Sequence, residues 1–450
     1  MKTNLHLTII LTTFLFLLSI YSKAQNQPGT FDQSFGQNGI LTINPPAGSI
    51  QTKINDMTVQ SDGKIVIIGQ NSGNSFFAFV SRYNADGTPD QTFGNNGTVL
   101  LQANKVELYS VLIQPDGKIV AAGLFTKNLN TYYLSSTDFF VARFNSNGNL
   151  DTTFGLNGIV RTSLENFEEI CHAYISKLLL QNDGKIITLG TKSSLLHDRN
   201  SDEARESLAV VRYLPNGRVD TTFGNYGIVT TLEDAYFDFP TGVIQPDGKL
   251  LAFVQSFGNR IFESQLNLYR FNSDGTTDNS FAYNGILQLS DSIKALGVGI
   301  SPNNQIILLS QSKLYQINLT GQIDYSFANP DVRINGFVFN RKSLAIQDDG
   351  KLFVFGNSFS ADLSQYNATL SCFMPNGEIN TTFGENGIVV QPLKQRFYSE
   401  KSLIQSDGKI LVAGYTLESP TIRIVLMRFW GDRNTLNSDA KTMRNNSLKK

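Results

Sequence analysis

Cysteine and histidine are scarce, two of the first and three of the second in 450 residues. Cys171 and Cys372 stand about two hundred residues apart, and apart from the adjacent Cys171 and His172 neither has a partner at metal-ligand spacing. No metal site and no cofactor is implied. Both cysteines read as small buried hydrophobes, with a long-range disulfide left open. Of the histidines, only His172 and His197 lie beyond the N-terminal segment, and no nucleophile motif such as G-x-S-x-G accompanies them. No catalytic residue is therefore assigned.

An excess of charge of either sign is also missing. Thirty-seven basic and 38 acidic residues leave a formal net charge of -1, which excludes a basic face for nucleic acid or anionic lipid. Long hydrophobic runs are confined to Leu7 to Ile20, shorter than the roughly 18 to 20 apolar residues that span a bilayer. Lys2 precedes this run, and Ser22 and Ala24 follow it in the small-x-small pattern of a signal-peptidase site. Residues 1–24 are expected to be a signal peptide, with a mature chain beginning near Gln25, exported to the periplasm, cell surface or medium without membrane insertion. No cysteine near the cleavage point supports a lipid anchor. A charged fraction of 17% and 32 phenylalanines argue against disorder.

What is abundant is self-similarity. A segment of the form D-x-[TS]-F-G-x-N-G-I occurs at Asp32 to Ile40, Asp90 to Thr98, Asp151 to Ile159, Asp220 to Ile228 and Asp278 to Ile286, decayed at Asp324 to Phe327 and clear again at Asn380 to Ile388. Its phenylalanines, Phe35, Phe93, Phe154, Phe223, Phe281, Phe327 and Phe383, recur with a period near 58 residues, the length of one four-stranded blade. A second motif, Q-x-D-G-K, places Asp-Gly between short apolar runs, for example Asp62-Gly63-Lys64 and Asp116-Gly117-Lys118. This predicts a hairpin of strands A and B with a type I′ turn. A third, R-[YF]-N-x-[DN]-G, ends an alternating strand C at Arg82, Arg143, Arg212, Arg270 and Arg428, and the N-G-I residues begin strand D.

The expected fold is all-β: a seven-bladed β-propeller of four-stranded antiparallel blades over residues 25–431, followed by a short polar tail, 432–450, expected to be disordered. The last strand C, Ile422 to Trp430, has no D segment after it, whereas the chain opens with an unattached one, Phe31 to Ile43. The N-terminal strand should close the ring by pairing with the last blade. The three ordered motifs resemble the delta-60 repeat family of exported bacterial proteins, and more loosely the NHL-type propeller repeat. That resemblance covers residues 31 to 431 and implies a propeller without implying a chemistry.

The repeated polar residues favour scaffold over chemistry. Asn84, Asp86 and Asp90 begin like a calcium loop, but Leu214 and Met374 interrupt the pattern and no glutamate closes it, so an Asx turn is the better reading. The strand C arginine should pair with a repeated aspartate. Strand directions put the B–C and D–A loops on one face, where the insertions collect: Phe125 to Asp138, Lys192 to Ser207 and Asp234 to Pro240. Tyr132, Tyr133, Arg199, Asp202, Tyr236 and Phe237 on those loops are the candidate ligand-binding residues. A monomeric module binding a glycan or an extracellular protein is the main functional reading. The alternative is a polysaccharide hydrolase or lyase using carboxylates at the channel mouth.

Overall fold

The computed structural model describes residues 27–432, apart from 45–48, 74–76, 102–104, 129–134, 166–169, 196–203, 232–235, 238–239, 258–263, 290–294, 329, 331, 333–337, 361–364 and 419–420. The described residues form strands and turns with no helix. The expected signal peptide and all of the C-terminal tail beyond Asp432 lie outside them.

Each repeat folds as an antiparallel meander. In the first, Ser49–Val59 (A) pairs with Ile65–Gly73 (B), B with Phe77–Tyr83 (C), and C with Thr98–Leu101 (D). Successive A strands are Ser49–Val59, Val106–Ile113, Ile170–Leu180, Thr241–Ile244, Ala295–Ile300, Val338–Ile346 and Phe397–Ile404. Each lies beside the next, and Phe397–Ile404 returns to Ser49–Val59. The N-terminal strand Ile40–Ile43 pairs with Thr421–Phe429, and an isolated bridge joins Phe31 to Phe429. The chain's first strand is thus the D strand of its last meander.

The apolar residues sort into clusters that lie between consecutive meanders. Each cluster holds one phenylalanine of the T-F-G motif: Phe35, Phe93, Phe154, Phe223, Phe281, Phe327 or Phe383. These rings are at most 4% exposed, and burying each is worth about 2 to 3 kcal/mol. A meander cannot cover both faces of its own sheet, so its neighbours supply the cover.

One expectation needs correction. The A–B turn is not type I′: Gly63 alone takes positive φ, at 83°, while its N–H bonds Gln60 O at 2.9 Å and Gln60 N–H bonds Lys64 O at 2.8 Å. This is a type I turn closed by a left-handed glycine, the three-residue hairpin loop. In the decayed copy Asn304 takes the glycine's place with φ 62°. The fifth meander, Ala295–Ile300, Ile306–Ser310 and Leu314–Ile317, has three strands among the described residues. Its D strand would begin at Val332, and residues 333–337 lie outside the described residues. Leu314 N–H bonds Pro330 O at 3.4 Å and Val332 N–H bonds Ser312 O at 2.8 Å, so the segment before them runs beside the third strand.

Candidate functional site

The repeated charges form a staple. Arg82, Arg143, Arg212, Arg270 and Arg428 hold Nε 2.7 to 2.9 Å from Asp90, Asp151, Asp220, Asp278 and Asp32. Each guanidinium lies 4.5 to 4.6 Å from the centre of its T-F-G phenylalanine. Several reach into the next meander: Arg143 donates to Pro215 O and Arg270 to Leu319 O, both at 2.5 Å, Arg212 to Ser273 O and Arg428 to Ala85 O. The motif lysine adds a second cation, as Lys249 does to Asp278 at 2.8 Å and Lys409 to Asp32 at 3.0 Å. Burial by itself would raise the Asp151 carboxyl, but Thr153, Arg143 and Lys118 more than offset it and hold the group down to about 2. The expected pairing of arginine with aspartate is present, and its groups are occupied by structure.

The decayed repeats keep the geometry with other chemistry. Gln316 Nε2 donates to Asp324 at 2.8 Å in place of an arginine. Where Cys372 and Asn380 replace arginine and aspartate, Asp432 supplies the missing carboxylate. It lies 3.0 Å from Lys351 Nζ and accepts from Asn380 Nδ2 at 2.6 Å. Asp432, placed in the polar tail on sequence grounds, is 8% exposed and belongs to the fold. The C–D turns are Asx turns: Asp86 and Asp274 each accept from the backbone N–H and hydroxyl of a threonine two residues on. A cleft of about 470 Å³ opens at the seam between the last and first meanders, lined by Asp62, Asp86, Asp407, Lys409 and Arg428 among others. Its cations are already committed, Arg428 and Lys409 to Asp32.

Different chemistry appears along the A strands. Most carry a bulge between the residues six and four before the motif glutamine, as at Ile54/Asp56, Leu108/Ser110, Ile175/Lys177 and Ser399/Lys401. Opposite stands the last glycine of the hairpin motif. A Cβ at Gly69, Gly123 or Gly190 would lie 1.9 Å from a strand A carbonyl, so only glycine admits the bulge. The position four before the glutamine is Asp56, Ser110, Lys177, Thr241, Ser343 and Lys401 in successive repeats, and Gly297 where Ser301 replaces the glutamine.

The side chains of Asp56, Ser110, Lys177 and Lys401 converge. Lys401 Nζ lies 3.1 Å from Asp56 Oδ1; Ser110 Oγ and Val111 N–H donate to Asp56 Oδ2 at 3.2 and 3.1 Å. Lys177 comes within hydrogen-bonding reach of Lys401 and within the field of Asp56. Meanders one, three and seven are not all neighbours, so these groups meet by facing a common axis. Burial would raise the Asp56 carboxyl, but Lys401, Lys177 and two backbone N–H groups hold it below its ordinary range. Lys177 is pushed down to about 8, first by the Lys401 ammonium and then by burial.

Three residues earlier, towards the face of the B–C and D–A loops, the corresponding positions are Lys53, Glu107, Tyr174 and Tyr398. Tyr109 donates to Glu107 and meets Tyr174 edge-on at 6.2 Å. Tyr398 stacks on Tyr415 at 5.1 Å, with Lys53 5.9 Å from the Tyr415 ring and Arg396 4.8 Å from that of Tyr398. Sequence reading passed over both levels because it followed the residues that repeat. The signal lay in one register position that changes identity inside an otherwise uniform motif.

Of the residues proposed from sequence, Tyr132, Tyr133, Arg199 and Asp202 lie outside the described residues. Tyr236 and Phe237 form a two-residue strand whose backbone pairs with Phe257 and Ser256. Cys171 and Cys372 are free and buried, and burial pushes their thiols up to about 11 and about 12.

Meanders packed face to face, with A strands in cyclic order, define a β-propeller repeat protein. Residues 60–93, 114–154, 245–281 and 405–432 match the family described as "Domain of unknown function (DUF5122) beta-propeller". None of the curated proteins matches the chain significantly. Among solved structures, a polysaccharide lyase of family PL25, an ulvan lyase, shares 10% identity over 90% of this chain and 98% of its own, with a TM-score of 0.50. The β-propeller domain of the Trilobed protease from Pyrococcus furiosus shares 12% identity over 85% of this chain and 99% of its own, at a TM-score of 0.43. Pyrococcus horikoshii acylaminoacyl peptidase also matches at 12% identity and 0.43, over 88% of this chain, which spans 54% of the peptidase. At such identities the likeness is one of fold.

Proposed function

We propose that this chain is an exported, monomeric, seven-bladed β-propeller of the delta-60 type. It acts as a binding scaffold that takes a glycan or a protein at the variable-loop face and the adjoining channel mouth. One observation carries the reading: the arginines, aspartates and lysines that recur are consumed in contacts between repeats. The chemistry that differs from repeat to repeat is left on the channel positions and the loops, where a rigid scaffold presents ligand contacts. The cyclic contact of the A strands and the pairing of Ile40–Ile43 with Thr421–Phe429 support a closed ring of seven blades.

Binding is favoured over hydrolysis by the state of the axial carboxylate. Glycosidases need two carboxyl groups about 5 to 10 Å apart with one free to protonate a leaving group. Asp56 is instead held ionised by Lys401 and accepts from Ser110 and Val111. A glycan array probed with purified residues 25–450, read for retention and for release of reducing ends, tests the reading. Retention without release, lost on replacing Tyr132 and Tyr133 by alanine, is the expected result. Release would establish the hydrolase or lyase instead. Mass analysis of the exported protein should find an N-terminus near Gln25.

A further inference from the structure

The axial cluster carries more positive charge than it uses. Among the described residues Lys401 has Asp56 as its carboxylate partner, and Lys177 has none within ion-pair distance. Asp56 also accepts from Ser110 and Val111 and offers little further capacity to Lys177. Two ammonium groups are therefore within hydrogen-bonding reach of each other beside one carboxylate, a net charge of +1 among the described residues. Lys401 keeps 31% of its side chain accessible, so the cluster opens onto the channel rather than being sealed in the protein. Like charges held together in a partly desolvated space are costly, and an anion entering between them removes that cost.

We propose that Lys177 and Lys401 form a binding site for one carboxylate of an acidic sugar residue. A single negative charge matches the excess, whereas a dianion such as phosphate would overshoot it beside Asp56. Towards the loop face the channel carries the partly exposed ring of Tyr174, which offers an apolar face to a pyranose while the carboxylate reaches down to the lysines. Asp56 positions Lys401 and repels a second anion, so the site takes one acidic group at a time. Because it names the ligand of the scaffold role proposed above, the site rests on that role for the sugar, though not for the carboxylate.

Binding should depend on pH. The charged groups facing Lys177 among the described residues are Lys401 and Asp56. An unliganded Lys177 that loses its proton near pH 8 has to regain it to hold the anion. Affinity should therefore be flat below pH 8 and fall above it, with proton uptake on binding near that pH.

Calorimetric titration of residues 25–450 with glucuronate, glucose and N-acetylglutamate, at pH 6.5 and pH 9.5, tests the site. Glucuronate should bind at least about tenfold better than glucose, as one charge-assisted contact requires. Lys177→Met and Lys401→Met should each abolish that preference while the thermal melt stays cooperative. Lys177→Arg keeps the charge and should retain binding while losing the fall above pH 8, which separates a ligand contact from a packing role if the methionine variants fold poorly. Equal affinity for glucuronate and glucose would overturn the site while leaving a glycan-binding scaffold intact. Equal affinity for N-acetylglutamate and glucuronate would overturn the assignment to a sugar. Unaltered glucuronate preference in Lys177→Met would overturn the role of the lysines.

Discussion

Arg143 illustrates how one residue type can serve several ends at once. Its guanidinium pairs with Asp151 at 2.8 Å, covers Phe154 at 4.5 Å and donates to Pro215 O in the following repeat. Both charged groups are at most 6% exposed, so truncating the arginine leaves a buried carboxylate with Lys118, 3.3 Å away, as its remaining cation. Arg143→Ala should therefore destabilise the fold by about 3 to 5 kcal/mol in a denaturant titration. Unchanged stability with lost ligand binding would reverse the structural reading. Lysine is no substitute, because it lacks the planar fork that reaches Asp151 and Pro215 together. The same aspartates set the acid limit. The folded Asp151 carboxyl lies near 2, below the unfolded value of about 3.9, so the unfolded chain binds more protons in that interval. The stabilisation is fully present above about pH 4 and is lost as pH falls towards 2, where circular dichroism should record unfolding. The thiols behave differently. With Cys171 pushed to about 11 inside the core, alkylation at pH 8 should require denaturant, and rapid labelling of the native protein would contradict its burial.

At the level of the strand, the decisive device is the bulge in strand A and the glycine that faces it. Gly123→Ala would force a Cβ to within 1.9 Å of Glu107 O, and the strain should cost on the order of 1 to 3 kcal/mol by thermal melt. Gly117, at an A–B turn with open space around its Cα, should accept asparagine with little loss, since asparagine tolerates its φ of 83°. Much of this level was legible in the sequence. The Asp-Gly pairs announced hairpins, the T-F-G phenylalanines announced a core between repeats, and the N-G-I segments announced a further strand. The turn type was not legible because the pair Asp62-Gly63 suits two hairpin loops, and in the one adopted Gly63 alone takes a positive φ. The axial cluster was hidden for a different reason. Asp56, Lys177 and Lys401 are far apart in sequence and differ in type at one register position of the repeat, and only the bulges and the cyclic order of the A strands bring them to one level.

For the molecule as a whole, the seam between the first and last strands is the point where the chain's two ends are held together. Ile40–Ile43 pairs with Thr421–Phe429, and Asp32 receives both Arg428 and Lys409. Deleting residues 27–43 should lower the melting temperature of the entire protein in one transition, because the Phe35 cluster lies between the last and first repeats. A second, earlier transition confined to the last repeat would instead mean that the units melt independently. The seam also governs the order of events in time. Asp32 and Arg428, which meet there, are 396 positions apart, so the earliest strand to be made waits for almost the last. Contacts so distant along the chain form late and slowly, and until they form the apolar edge of the first strand stays uncovered. A ribosome making this chain therefore delivers Ile40–Ile43 unpaired, and its docking is an event that follows the emergence of Thr421–Phe429.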